Sequence, residues 1–131
     1  MTNQQLVDLY NQASKHSSYQ ILAEPLRKYI PQNLLKTESR FEQERLDYIL
    51  KKLSIPNARI LEIGGNTGYF TFELINRGAS SVIFIEGNQA QALFVKEAAK
   101  LLEFQDRVDV RQEYLTFSDD LDLNDIDLCL L

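Results

Sequence analysis

The chain has 131 residues, 44% of them hydrophobic, enough for one domain that buries roughly two thirds of its unfolded surface. Fourteen Lys and Arg against 19 Asp and Glu give a net charge of -5, which disfavours non-specific nucleic-acid binding and suits small or protein substrates. Cys129 as the single cysteine excludes an intrachain disulfide, and His16 as the single histidine leaves no His/Cys metal cluster to propose.

The N-terminus, Met1-Thr2-Asn3-Gln4-Gln5, lacks a charged head followed by an apolar signal core, and no apolar run approaches the ~20 residues of a membrane span. The expectation is a soluble cytoplasmic protein with no membrane partner. Residues 3–10 form a short helix on the spacing of Leu6, Val7, Leu9 and Tyr10. Residues 19–30 carry a second helical pattern through Tyr19, Leu22, Leu26 and Ile30, weakened or kinked by Pro25. A third helix opens on the Ser39/Glu42 capping-box pattern and carries Phe41, Leu46, Ile49, Leu50 and Leu53 until Pro56-Asn57 turns the chain. Its apolar face should pack on a sheet.

From Arg59 the rhythm becomes βαβα. Arg59-Ile60-Leu61-Glu62-Ile63 is a buried parallel strand that stops at Gly64-Gly65-Asn66-Thr67-Gly68, where the backbone can approach a ligand. Tyr69 to Asn76 continues as a helix ended near Gly78, Ser81 to Glu86 is the second strand, and Asn88 caps a long helix bearing Ala92, Leu93, Val95, Ala99 and Leu102. Val108 to Arg111 and Ile126 to Leu131 are the third and fourth strands. Right-handed crossovers order them 3-2-1-4, with the ligand crevice at the carboxyl ends of strands one and four.

The run Glu62-x-Gly64-x-Asn66-x-Gly68, followed by Glu86 closing the second strand, resembles the class I S-adenosylmethionine-dependent methyltransferases. Their first motif is acidic, any, Gly, any, Gly, any, Gly; here Asn66 replaces the middle glycine, a residue that tolerates the left-handed backbone. The resemblance implies a Rossmann-like three-layer αβα sandwich, truncated after the fourth strand and preceded by N-terminal helices. Residues 1–56 would then be a helical region serving as a candidate lid, and 57–131 the partial cofactor-binding domain. The cofactor implied is S-adenosylmethionine.

By the same resemblance Glu62 and Gly64 hold the methionine end of the cofactor and Glu86 the ribose. Gly65, Asn66 and Gly68 shape the turn, Gly87 and Asn88 border the cofactor with Asn88 helping to hold the ribose, and Glu113 lies toward the adenine amino group. Asn88 reads first as a helix cap, and Tyr10 and Tyr19 as core or rim residues instead of a lid. His16 stands in a polar stretch as a solvated side chain, and Cys129 as a small hydrophobe in a buried strand. A dinucleotide fold is the rival, but Asn66 and Tyr69 occupy two of the three glycine positions in G-x-G-x-x-G.

The family's usual sheet has seven strands, so the resemblance covers the cofactor-binding part, and the methyl acceptor and catalytic residues are unknown. The reading is a fragment of a methyltransferase; the alternative is a catalytically inactive cofactor-binding or protein-interaction module, dimerising through the bare edge of the fourth strand.

Overall fold

The computed structural model describes residues 1–12, 20–37, 39–116 and 123–131. Its four strands are β1 (Arg59–Ile63), β2 (Ser81–Ile85), β3 (Val108–Arg111) and β4 (Leu128–Leu130), and its α-helices are α1 (Asn3–Asn11), α2 (Glu42–Lys52), α3 (Tyr69–Asn76) and α4 (Gln89–Leu101). The sheet order is β3-β2-β1-β4 and every pairing is parallel. This is the order expected from right-handed crossovers in a Rossmann-like α/β fold.

Register decides which side chains face the helices. Ile60 pairs with Val82 and Leu128, and Glu62 with Phe84 and Leu130. Strand side chains alternate, so Ile60, Val82, Phe84 and Val108 project to one face, where they join Phe72 and Leu74 of α3 and Phe94, Val95 and Ala98 of α4 in one cluster. Leu61, Ile83 and Cys129 share the other face, and residues Leu123, Asp125 and Ile126 line a cavity over Leu61 and Ile83. Cys129 is exposed, contrary to the expectation of a buried strand residue, because on β4 it is Leu128 and Leu130 that turn toward the core.

The N-terminal region shares that core. Leu6, Val7 and Tyr10 of α1 are buried in the same cluster as the sheet residues, and the Tyr10 and Phe94 rings meet edge-on at 5.6 Å. Burial of each such side chain contributes about 1.5–3 kcal/mol, enough for three of them to fix a nine-residue helix that would be marginal alone. Thr2 and Gln5 close a reciprocal capping box at its start.

Two helix expectations change. The pattern over 19–30 gives only a short 3-10 turn, Glu24–Leu26, because Pro25 suits the first turn of a helix and breaks any longer one. Ser39 and Glu42 do meet, with the Ser39 hydroxyl donating to Glu42 at 2.6 Å and the Arg40 amide at 2.7 Å, but α2 begins only at Glu42. Phe41 precedes it in a left-handed conformation and is 74% exposed, so it belongs to no apolar face. The main neighbour of α2 is α3, not the sheet.

Candidate functional site

The site is built where β1 runs out. Gly64 continues the ladder by donating to the Ile85 carbonyl at 2.8 Å, and the chain then turns through positive φ at Gly64 (67°), Asn66 (55°) and Gly68 (80°) before α3 begins. Asn66 thus takes the left-handed backbone its residue type tolerates. Gly65 is demanded by packing: a Cβ there would stand 2.2 Å from Phe84 Cε2 and 2.9 Å from the Glu62 carboxyl carbon. A Cβ on Gly64 would meet nothing within 4 Å, so this stretch of backbone faces open space at the carboxyl end of the sheet.

Glu62 lies beneath the turn, 4% exposed. Burial pushes its carboxyl up to about 7, opposed by the hydrogen bond from Thr71 Oγ1 at 2.7 Å and by the positive charge of Arg45. Together with Gln20, Arg45, Gly64, Phe70 and Leu130 it lines a cavity of about 90 Å³. A larger cavity of about 560 Å³ opens over Leu61 and Ile83, but its arginines, Arg59 and Arg111, are paired with Asp125 and Asp109 and none of the turn residues reaches it.

Glu86 organises the second half. Its Oε1 accepts the Asn66 amide at 2.9 Å and its Oε2 the Asn88 amide at 2.8 Å, while its carbonyl accepts the Glu113 amide at 3.2 Å. One carboxylate therefore binds the glycine turn and the β2 loop together. Each oxygen keeps acceptor capacity for a further donor such as a ribose hydroxyl. Asn88 caps α4, accepting the Gln91 amide at 3.0 Å, as expected of a helix cap. Gly87 lies under the Tyr114 ring, where a Cβ would be 2.0 Å from Tyr114 Cε1, and Gln112 donates to its carbonyl at 3.0 Å. The Glu113 side chain is exposed beside this loop.

Two further residues complete the site, and local pattern gave no sign of either. Gln20 Oε1 accepts the Tyr69 amide at the first position of α3, across 49 residues, at 3.0 Å. Arg45 stacks its guanidinium over Phe70 at 4.9 Å. Tyr10 does not lie over the site as a lid: it is fully buried, and its hydroxyl donates to the Gln20 carbonyl. His16 and Tyr19 fall outside the described residues. Among the described residues no group of three His, Cys, Asp or Glu could hold a metal, and no helix is long and apolar enough to cross a membrane.

An adenosyl ligand fits what is present. Asn66 Oδ1 and Thr67 Oγ1 are buried with no hydrogen-bond partner among the described residues, a cost of about 1–3 kcal/mol each that a polar ligand would relieve. The open backbone at Gly64 and the carboxylates at 62 and 86 flank the same turn.

No protein-family model matches the sequence, and no curated protein matches it. Solved structures do. The geranyl diphosphate C-methyltransferase of Streptomyces coelicolor A3(2), solved with Mg²⁺, geranyl diphosphate and S-adenosylhomocysteine, superposes with TM-score 0.58 and 16% identity over 97% of this chain and 52% of its own. The bifunctional kinase-methyltransferase WbdD gives 0.60 and 18% over 83% of this chain and 23% of its own. The putative methyltransferase yhhF from Escherichia coli gives 0.50 and 18% over 56% and 40%. The fold is therefore the Rossmann-like α/β fold seen in S-adenosylmethionine-dependent methyltransferases. The chain spans about half or less of the length of each of these structures.

Proposed function

We propose that the chain is the cofactor-binding portion of an S-adenosylmethionine-dependent methyltransferase. The observation that carries this is the pair of carboxylates on either side of one glycine turn: buried Glu62 beneath it and Glu86 bridging it to the β2 loop. In this reading Glu62 and the Gly64 backbone hold the amino-acid end, Glu86 takes the ribose diol with Gly87 and Asn88 beside it, and Glu113 borders the adenine. Gly65, Asn66 and Gly68 give the turn its shape.

When bound, the cofactor supplies a methyl group already activated by its sulfonium. The chain's own task is orientation, since positioning alone can supply much of a transfer rate. Transfer to an acceptor, and the groups that would orient that acceptor, belong to the whole enzyme; the acceptor's class is open.

A dinucleotide ligand is disfavoured by two observations. Its pyrophosphate needs bare amides at the helix start, yet the Tyr69 amide is already taken by Gln20, and the buried Tyr69 ring fills the place of the third glycine. Calorimetric titration with S-adenosylmethionine, S-adenosylhomocysteine and NAD tests the reading. Saturable binding of the adenosyl ligands but not NAD supports it; a folded sample that binds none of them returns the chain to the interaction-module alternative.

A further inference from the structure

We propose that the outer side of α2 is a surface for a second copy of this chain. Two α2 helices pair antiparallel across it, with Arg45 of each copy beside Tyr48 of the other and Glu44 of each beside Lys51 of the other. The pairing does not depend on the adenosyl-ligand reading, and it uses a different surface from the edge of β4.

Only one side of α2 is turned to the rest of the protein. Glu42 and Leu46 are buried and Ile49 and Leu50 half-buried, whereas Phe41 is 74% and Tyr48 64% exposed, and Glu44, Arg45, Lys51 and Lys52 are all exposed. At about 3.6 residues per turn, Tyr48 lies between two rows on the outer side, Arg45 with Lys52 and Glu44 with Lys51, each residue about 40–60° away from it. Phe41 opens the helix in a left-handed conformation, φ 60°, where Ser, Thr, Asp or Asn is the usual cap. A bulky residue held there is strained, and its ring gains no burial in return. Exposed aromatic rings with an arginine between them are the side chains that protein interfaces recruit.

The pattern is its own complement. When a two-fold axis crosses α2 near Asp47, each residue before the axis meets one after it on the other copy: Arg45 meets Tyr48, Glu44 meets Lys51 and Phe41 meets Lys52. The members of each pair are level to within one residue, about 1.5 Å along the helix. Every contact is made twice by symmetry, giving cation–ring contacts along the centre and opposite charges along one flank. The Tyr48 ring can serve both copies: Lys52 Nζ of its own chain lies 5.7 Å from its centre, yet most of the residue stays exposed. Glu44 and Lys51 make no ion pair among the described residues.

Other occupants match less well. An acidic partner would be repelled by Glu44, and a basic one by Arg45, Lys51 and Lys52; a second copy brings both signs to the places that need them. The net charge of -5 on each chain gives no general attraction between copies, so this local arrangement is what selects the pairing. Arg45 and Ile49 also line the small cavity beside the glycine turn, which sets the second copy's helix at the rim of that cleft.

The test is sedimentation of the whole chain over a concentration series, with Glu44→Lys, Lys51→Glu and Tyr48→Ser, all at exposed positions that leave the core intact. The wild type is expected to show a monomer–dimer equilibrium with a Kd below about 100 μM. Each charge reversal sets like charges opposite one another and should weaken the dimer roughly tenfold, and Tyr48→Ser should weaken it by a similar factor. An equimolar mixture of Glu44→Lys and Lys51→Glu should regain wild-type affinity, because every flank contact between the two variants again joins an acid to a base. A wild type that stays monomeric throughout, a dimer indifferent to these substitutions, or a mixture that regains nothing overturns the proposal and leaves the cofactor reading untouched.

Discussion

The backbone amide of Asn66 donates to the side-chain carboxylate of Glu86 at 2.9 Å, so the end of the second strand holds the glycine turn of the first. Glu86 is thus a structural clamp as well as a candidate ribose partner, and substitutions there must be read for both roles.

Glu86→Ala removes the acceptor for two loop amides and the contact to the ribose. It is expected to weaken S-adenosylhomocysteine roughly ten- to a hundredfold and to lower stability by about 1–3 kcal/mol. Glu86→Gln keeps an amide oxygen and should recover most of the stability. Titration paired with urea unfolding separates the two losses; unchanged affinity in the Ala variant would sink the ribose assignment.

The two glycines that open the turn should behave differently. Gly65→Ala drives a methyl into Phe84 and Glu62, an overpacking expected to cost about 1–3 kcal/mol. Gly64→Ala has room, and suffers chiefly from its positive φ, about 1–2 kcal/mol. Its methyl, however, enters the open side of the turn. Gly64→Ala should therefore lose more ligand affinity than its modest fall in melting temperature suggests, whereas Gly65→Ala should lose mainly melting temperature.

Glu62 makes the free protein and the complex respond oppositely to pH. Its folded pKa is raised from the ordinary 4.5 to about 7, so between those values the folded state binds more protons than the unfolded one. Its contribution to stability is full below about pH 4.5 and declines as pH rises through about 7. An α-ammonium group needs the ionised form, so affinity should climb over the same interval and level off above it. Glu62→Gln should flatten both curves. Parallel slopes in melting temperature and affinity for the wild type would contradict this.

Gln20 supplies the acceptor for the first amide of α3, and both its carbonyl and its side chain lie in the interior. Gln20→Ala strands the buried Tyr69 amide and should cost about 1–3 kcal/mol in urea unfolding. A change below about 0.5 kcal/mol would show that the amide finds water instead.

What the sequence made legible was local. The strand, turn and helix from Arg59 to Asn76 are encoded in adjacent residues, and Asn66 revealed the left-handed turn because few other residues sit there cheaply. Asn88 was legible as a cap for a different reason, that its short side chain can accept an amide at the start of the helix. Gln20 and Arg45 were not, because what places them is the docking of the N-terminal region on α3, a contact between chain segments with no shared period or motif. The helix expected over 19–30 failed at Pro25, where ring sterics outweighed apolar spacing. Cys129 was read as buried from an unbroken apolar run, yet alternation along a strand assigns neighbours to opposite faces whatever their hydrophobicity.

The strand order carries a consequence for how the molecule comes into being. β1, α3 and β2 follow one another without interruption and pair directly, while β4 must return past β3 and β2 to reach the far side of β1. Neighbouring segments close their contacts sooner than remote ones. As the chain leaves the ribosome, the loop between the first two strands and the carboxylate that clamps it can therefore assemble before the fourth strand has been synthesised, and the edge of β1 stays open until that strand arrives.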